Sequence, residues 1–167
     1  MYLTISRILV PVDFSAHSES ALRYAIALAS RVDATLHVLH VVEDPIATGA
    51  WGGETVIPNL TELRQELLDD AERRLAAYRE EATRAQVPVV TVARMGLTSH
   101  TIVDYAKAIN IDLIVMGTHG RTGMAHLFMG SVAERVLRHA PCPVLTVRAG
   151  AGVEEAHEAM AHAVARR

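Results

Sequence analysis

Three glycines and a serine occur at a spacing that suits phosphate binding. Two residues separate Gly117 from Gly120, nine separate Gly120 from Gly130, and Ser131 follows directly. Glycine lets the backbone approach a ligand closely. A helix that begins at Gly130 would also point free N–H groups and the positive end of its dipole at phosphate oxygens. We therefore predict an anion site at these residues, with Arg121 as a further cationic contact.

An acidic side chain stands where the first predicted strand ends. Residues 5–12 (ISRILVPV) are rich in β-branched residues and Asp13 follows them, while Gly117 closes a later apolar strand at residues 111–117. In an open parallel sheet, ligands bind beyond the carboxyl ends of the strands. Asp13 is thus expected in the same crevice as the glycine loop, where a carboxylate suits the hydroxyl or N–H donors of a ribose or a base.

The elements that must position these side chains follow a regular alternation. Short β-branched runs alternate with segments of helical period, which predicts an α/β fold with an open, mainly parallel sheet and helices on both faces. Ser15 is the expected N-cap of the first helix, and Asn59 with Glu62 resembles a capping box at the start of the second. The expected strands are 5–12, 35–42, 88–92, 111–117 and 142–148, and the expected helices are 15–32, 59–84, 98–109 and 130–139.

Composition narrows the class of protein. The 167 residues fit one compact domain, expected at residues 1–148, followed by an extension at 149–167 that is helical or partly disordered. A formal net charge of −3 and an aromatic content of 4% argue against binding of nucleic acid. No secretory signal and no run of about 18 apolar residues occur, so we expect a cytoplasmic protein that does not span a membrane.

Several alternative sites can be set aside. The single cysteine, Cys142, excludes an internal disulfide and a cysteine-based zinc cluster. His37 and His40 are three apart on a predicted strand and therefore point to opposite faces, so no metal site is expected. The chain has no G-x-x-x-x-G-K-[ST] motif, its only lysine is Lys107, and no G-x-G-x-x-G follows the first strand.

Taken together, these segments resemble the nucleotide-binding branch of the universal stress protein family over residues 5–148. The resemblance rests on the signature G-x2-G-x9-G-[ST] and on the segments ILVPVDFS, LHVV, DLIVMGTHGRTG and GSVAERVLRHAPCPVL. It implies a five-stranded sheet in the order 3-2-1-4-5, Rossmann-like and similar to the adenine nucleotide alpha hydrolases, with the reversal between strands one and four. The chain departs from the family in GLTS at 96–99, where an acidic residue and a proline are common, and in its longer C-terminal end.

The resemblance also implies a ligand, which is ATP with or without Mg²⁺. It further implies a homodimer formed through the last strand, here residues 142–148, and an unpaired strand edge makes such pairing reasonable. The residues implied are Pro11, Val12, Asp13 and Val41 for adenine and ribose, Met116 and Gly117 for the flanks of the nucleoside, and Gly120, Arg121, Gly130, Ser131 and Val132 for the phosphates.

Three functions are open at this point. The first is an ATP-binding regulatory protein of the stress response, and the second is a nucleotide-independent dimeric interaction module that uses Trp51 and the extension as contact surfaces. The third is a slow ATPase or a protein that phosphorylates itself at Ser131 or Thr122. We expect binding without catalysis, because phosphoryl transfer needs positioned cations. The acidic residues expected near the crevice are Asp13, Glu43 and Asp44, whereas Asp112 lies at the wrong end of its strand and no lysine lies near the crevice.

Overall fold

The computed structural model of the chain describes residues 4–44, 59–118 and 129–148. Within these ranges five strands alternate with four helices, as the sequence pattern predicts. The elements are β1 (Arg7–Val12), α1 (Ala16–Val32), β2 (Thr35–Val42), α2 (Leu60–Arg84), β3 (Val89–Met95), α3 (Thr98–Ala108), β4 (Leu113–Gly117), α4 (Ser131–His139) and β5 (Val144–Val147).

The strands form one parallel sheet in the order β3-β2-β1-β4-β5. This confirms the predicted fold class and the strand order that the family resemblance implies. The chain moves outward from β1 in one direction through β2 and β3, and in the other direction through β4 and β5. The strand order therefore reverses between β1 and β4, where such sheets bind their ligands.

Each face of the sheet has its own hydrophobic core. Ile8 and Val115 belong to the core beneath α1 and α2, whereas their strand neighbours Leu9 and Ile114 belong to the core beneath α3 and α4. All four side chains are fully buried. Successive residues of a strand point to opposite faces, so a sheet covered on both sides needs apolar residues at every position. This requirement accounts for the aliphatic-rich composition.

The first helix begins as predicted and the second does not. The Ser15 hydroxyl accepts a hydrogen bond from the Ser18 N–H at 3.3 Å, which is the expected N-cap. Asn59 makes no side-chain cap hydrogen bond, and its φ is 60°. The predicted capping box with Glu62 is therefore wrong, because an N-cap of that kind requires extended backbone.

Several predicted boundaries also shift. The first strand begins at Arg7 instead of residue 5, and the fourth at Leu113 instead of residue 111, because the Asp112 side chain accepts the Ser6 and Arg7 N–H groups, each at 2.9 Å. The third strand runs on to Met95, which pairs with Val42. The last strand is shorter than predicted and covers Val144–Val147.

Candidate functional site

A cavity of about 550 Å³ opens at the carboxyl ends of β1, β2 and β4. Volumes of this order are usual for small-molecule sites. The first turns of α3 and α4 complete its walls. The lining residues are Pro11, Val12, Asp13, Leu39, His40, Val41, Glu43, Thr98, Ile102, Met116, Gly117, Thr118, Gly130, Ser131, Val132 and Ala133.

Most of the site residues predicted from the sequence meet in this cavity. Two of them, Gly120 and Arg121, lie outside the described residues, as do Trp51 and residues 149–167. The predicted residues that line the cavity are Pro11, Val12, Asp13, Val41, Met116, Gly117, Gly130, Ser131 and Val132.

The first turn of α4 presents hydrogen-bond donors to the cavity. Its first intrahelical bond runs from the Glu134 N–H to the Gly130 carbonyl at 3.0 Å. The N–H groups of Ser131, Val132 and Ala133 therefore have no acceptor within the helix. Gly130 is the N-cap residue and has no side chain to cap them. The positive end of the helix dipole and these N–H groups together suit an anion.

The two ends of the glycine signature are adjacent. The Gly130 N–H donates to the Thr118 carbonyl at 2.8 Å, and the Thr118 N–H donates to the Val147 carbonyl at 3.1 Å. These bonds attach the end of β4 to the start of α4 on one side and to β5 on the other. Gly117 and Gly130 therefore line one cavity although twelve residues separate them in the chain.

Asp13 is held by the turn that leads into α1. Its Oδ1 accepts two hydrogen bonds from Ser15, one from the backbone N–H at 3.1 Å and one from the hydroxyl at 2.6 Å. Its own N–H donates to the Ser18 hydroxyl at 3.3 Å. The side chain of Asp13 is thereby positioned at the cavity wall on the β1 side, where it can accept hydrogen bonds from a ligand.

The residue after Asp13 has an unusual backbone conformation. Phe14 has a φ of 62°, a left-handed value that costs a bulky side chain on the order of 1–3 kcal/mol. Its ring centroid lies 4.4 Å from that of His40 and 5.7 Å from that of Tyr78, and the Arg74 guanidinium lies 3.8 Å from it. Aromatic and cation–π contacts contribute roughly 0.5–1.5 kcal/mol each. They are therefore large enough to offset the strain.

The pKa of Tyr78 depends on its burial and on the charges around this turn. Burial is the main cause that raises its pKa, to about 12, followed by the charge of Glu19 and its hydrogen bond with that carboxylate. The positive charge of Arg74 opposes this rise, and the negative charge of Asp13 adds to it. The phenol is thus neutral at physiological pH, and Asp13 and Arg74 both lie within electrostatic range of it.

The far side of the cavity carries a second acidic residue. The Thr98 hydroxyl donates to Glu43 Oε1 at 3.0 Å, so the end of β2 is joined to the start of α3. The next residue, Asp44, was expected near the crevice with Asp13 and Glu43. It pairs instead with Arg64 of α2 at 2.6 Å and does not line the cavity.

Some lining residues were not predicted from the sequence. They are Leu39, His40, Thr98, Ile102, Thr118 and Ala133. The alternation of β2 could have indicated Leu39, two residues before Val41. Thr98 and Ile102 had no such signal, because nothing in the spacing of α3 shows that its first turn lies against the ends of β1, β2 and β4.

The two histidines of β2 point to opposite faces, as predicted. His37 Nδ1 lies 2.9 Å from the Tyr105 hydroxyl of α3, whereas His40 Nδ1 donates to the Val12 carbonyl at 2.7 Å on the face of Phe14. Across residues 4–44, 59–118 and 129–148, no three His, Cys, Asp or Glu side chains are grouped so that they could hold a metal ion. Among the helices of those ranges, none is long and apolar enough to cross a membrane.

An open parallel sheet with a cavity at the reversal of its strand order defines an α/β domain with a small-ligand crevice. Residues 4–148 match the universal stress protein family. The chain belongs to this family. It is 36% identical over 148 residues to universal stress protein MJ0531 of Methanocaldococcus jannaschii, covering 85% of this chain and 81% of the relative. It is 32% identical over 146 residues to YxiE of Bacillus subtilis, covering 86% and 99%.

Solved structures share the fold. Universal stress protein UspA from Lactobacillus plantarum superposes with a TM-score of 0.77 at 32% identity, covering 88% of this chain and all of that one. A universal stress protein in complex with cAMP has a TM-score of 0.60 at 19% identity, covering 88% and 99%. An Arabidopsis thaliana family protein with AMP bound has a TM-score of 0.61 at 17% identity, covering 90% and 94%. At these lower identities the likeness concerns the fold alone.

Proposed function

We propose that this chain is an ATP-binding regulatory protein of the cytoplasmic stress response. Its output would be a change of conformation or of partner that depends on bound nucleotide. The observation that carries the proposal is the cavity itself. Three N–H groups at the start of α4 suit phosphate, and the carboxylate of Asp13 suits ribose, on the walls of one crevice. Two distant members of the same fold contain adenine nucleotides, which supports this choice of ligand.

The residues fit the parts of a nucleotide in the order in which the strands lie. An apolar floor for the base is formed by Leu39 and Val41 of β2 and Ile102 of α3, with Met116 of β4 beside them. Asp13, at the end of β1, would accept hydrogen bonds from the ribose hydroxyls. Gly130, Ser131 and Val132 would hold the phosphates at the start of α4, with Gly120 and Arg121 as additional contacts. Bound Mg²⁺ would add charge neutralisation at the phosphates.

We propose binding without rapid turnover. The charged side chains among the described lining residues are Asp13 and Glu43, and neither lysine nor arginine is among them. Phosphoryl transfer depends on cations placed around the transferred group. An Mg²⁺-dependent turnover that disappears in Asp13→Ala would contradict this part of the proposal and would favour the ATPase alternative.

Calorimetric titration with ATP tests the binding proposal. We expect micromolar or tighter affinity in the wild-type chain. In Asp13→Asn the affinity should fall by about tenfold or more, because a hydrogen bond to a charged group contributes about 1.5–3 kcal/mol. Gly130→Val should abolish binding, since it adds a branched side chain where phosphate would lie. Gly130 has a φ of −61°, which valine also adopts, so the fold should survive.

Two possible results would decide whether the binding proposal holds. Loss of binding in Gly130→Val, with an unchanged circular dichroism spectrum, would support the phosphate site at α4. A wild-type chain that shows no affinity at millimolar ATP would overturn the proposal and favour the nucleotide-independent interaction module.

We also propose that two copies of the chain pair along the last strand, within residues 142–148. The supporting observation is that β5 is the outermost strand of the sheet next to β4, so its outer edge has no strand partner within the described part of the chain. Sedimentation equilibrium at tens of micromolar tests this. A mass near twice 18.1 kDa is expected, and a monomer mass at every concentration would contradict it. A chain that ends at Arg148 shows whether the extension contributes to pairing.

A further inference from the structure

We propose that Phe14, held against Arg74 and Tyr78 of α2, is a positioning residue for the Asp13 carboxylate. The proposal rests on the nucleotide site described above and deepens it. It assigns a part in ligand recognition to a helix that does not line the cavity. None of the residues of α2 lines the cavity, so this helix can affect the ligand only indirectly, and its contacts with Phe14 reach the turn between β1 and α1.

The first step is the coupling between Phe14 and Asp13. Ser15 reaches back across Phe14 to donate both its N–H and its hydroxyl to Asp13 Oδ1. This arrangement exists only while Phe14 stays in its left-handed conformation, with φ at 62°. A change of the Phe14 backbone would move Ser15 away from Asp13, and the carboxylate would lose the two donors that orient it.

The second step is what holds Phe14 in that conformation. Its ring is contacted from α2 by Tyr78 and by the guanidinium of Arg74, which stands 3.8 Å from the ring centroid. From the sheet, the imidazole of His40 lies 4.4 Å from it, and its Nδ1 donates to the Val12 carbonyl, directly before Asp13. Contacts from two sides thus hold the Phe14 ring, and through it the backbone on either side of Asp13.

The third step is the consequence for the ligand. A carboxylate held at a fixed angle can distinguish a nucleotide that carries both ribose hydroxyls from one that lacks either of them. A carboxylate that rotates freely gives up much of this discrimination while the phosphate and base contacts remain. Loss of the contact between α2 and Phe14 should therefore reduce ribose selectivity more than it reduces the overall affinity for the nucleotide.

The experiment compares the dissociation constants of ATP, 2′-deoxy-ATP and 3′-deoxy-ATP. In the wild-type chain we expect at least one deoxynucleotide to bind about tenfold or more weakly than ATP. Phe14→Gly removes the ring at a position whose positive φ glycine adopts freely, so the turn can still form. In this variant the discrimination should fall to about threefold or less.

Arginine variants test the contribution of α2 itself. Arg74→Gln removes the cation from the Phe14 ring and should lower the discrimination by about two- to fivefold. Arg74→Lys keeps a cation there and should restore most of it. The matched control is Arg73→Gln, because the neighbouring Arg73 is exposed and pairs with Asp70 of the same helix at 3.2 Å. This control should leave the discrimination unchanged.

The outcomes separate the inference from the proposed function. A purely structural role for Phe14 and Arg74 would lower the melting temperature but leave the ratio of dissociation constants unchanged, and that result would overturn the inference while ATP binding stands. Equal affinity of the wild type for all three nucleotides would also overturn it. Failure of the wild type to bind ATP at all would remove the proposed function and the inference with it.

Discussion

His37 is a buried histidine whose surroundings favour its neutral form. It lies on β2 beneath α3, with Nδ1 2.9 Å from the Tyr105 hydroxyl. Burial, and then the positive charge of Arg7, lower its pKa below the ordinary 6.5. As the pH falls, His37 therefore takes up a proton in the unfolded chain before it does so in the folded chain. The contribution of His37 to stability is complete above about pH 6.5 and is lost as the pH falls below that value.

We predict that His37→Gln makes the stability of the folded chain less dependent on pH below neutrality. The wild-type melting temperature should fall between pH 7.5 and pH 5.5, and the fall should be smaller in the variant, because glutamine takes up no proton. His100→Gln is the matched control, since His100 is exposed on α3. Thermal unfolding at the two pH values measures the effect. An equal fall in His37→Gln and in the wild type would contradict the assignment.

Gly96 joins β3 to α3 and leaves no room for a side chain. Its φ is +156°, and a Cβ at this position would lie 2.5 Å from Thr101 Oγ1. We predict that Gly96→Ala lowers the free energy of unfolding by about 1–3 kcal/mol. Urea denaturation measures the loss. The double variant Gly96→Ala/Thr101→Ala should recover part of it relative to the two single changes, because the clash is removed and the backbone strain is not. Strict additivity would contradict the clash.

At the scale of the elements, the interior position of β4 in the sheet has a measurable consequence. Val115 is fully buried in the core beneath α1 and α2, whereas Val90 of the edge strand β3 is 42% exposed. We predict that Val115→Ala costs about 2–3 kcal/mol and that Val90→Ala costs about 1 kcal/mol or less, because only the first leaves a cavity. Chemical denaturation compares the two. Similar losses would contradict the burial of Val115 in the core beneath α1 and α2.

The type and order of the elements were predictable from the sequence, and their exact ends were less so. Apolar runs such as residues 35–42 show their strand directly, and the predicted and observed bounds of β2 agree. Starts and ends depend on side chains from distant parts of the chain. Asp112 takes the N–H groups of residues 6 and 7, and no local pattern around residue 5 could reveal this. Val32 shows the same limit, since it continues the apolar stripe of α1 but is 39% exposed.

At the scale of the whole molecule, the cavity-lining residues at the ends of the strands were predictable from the sequence. Asp13 follows the end of β1, Met116 and Gly117 end β4, and Gly130 belongs to the glycine signature, so the sequence indicates all four. Thr98 and Ile102 reach the site because the first turns of α3 pack against the carboxyl ends of the strands that line the cavity, which is a property of the three-dimensional packing. The positioning of Asp13 by Phe14 was equally hidden, because it depends on Arg74 and Tyr78 of α2, which follow Phe14 by sixty residues or more in the chain.

Ligand binding to a cavity built from distant segments should stabilise the entire domain. At a free ATP concentration one hundred times the dissociation constant, the expected gain is about 2.7 kcal/mol. For a chain of this size, that corresponds to a rise in melting temperature of about 5–10 °C. Differential scanning fluorimetry measures the shift, and Gly130→Val is the matched variant that should show none. A shift of equal size in both proteins would place the nucleotide elsewhere.

The hydrogen bond from the Gly130 N–H to the Thr118 carbonyl has a consequence for how the chain tolerates change. It brings Thr118, next to the end of β4, to Gly130 at the start of α4, although eleven residues separate them in the chain. The entropy cost of bringing two such points of a chain together grows only slowly with the number of residues between them, by about 0.6 kcal/mol for each doubling. Folding alone therefore imposes little restriction on the number of residues in this segment. A fixed spacing of nine residues between Gly120 and Gly130 would then be a requirement of the ligand, and insertions there should reduce affinity long before they unfold the protein.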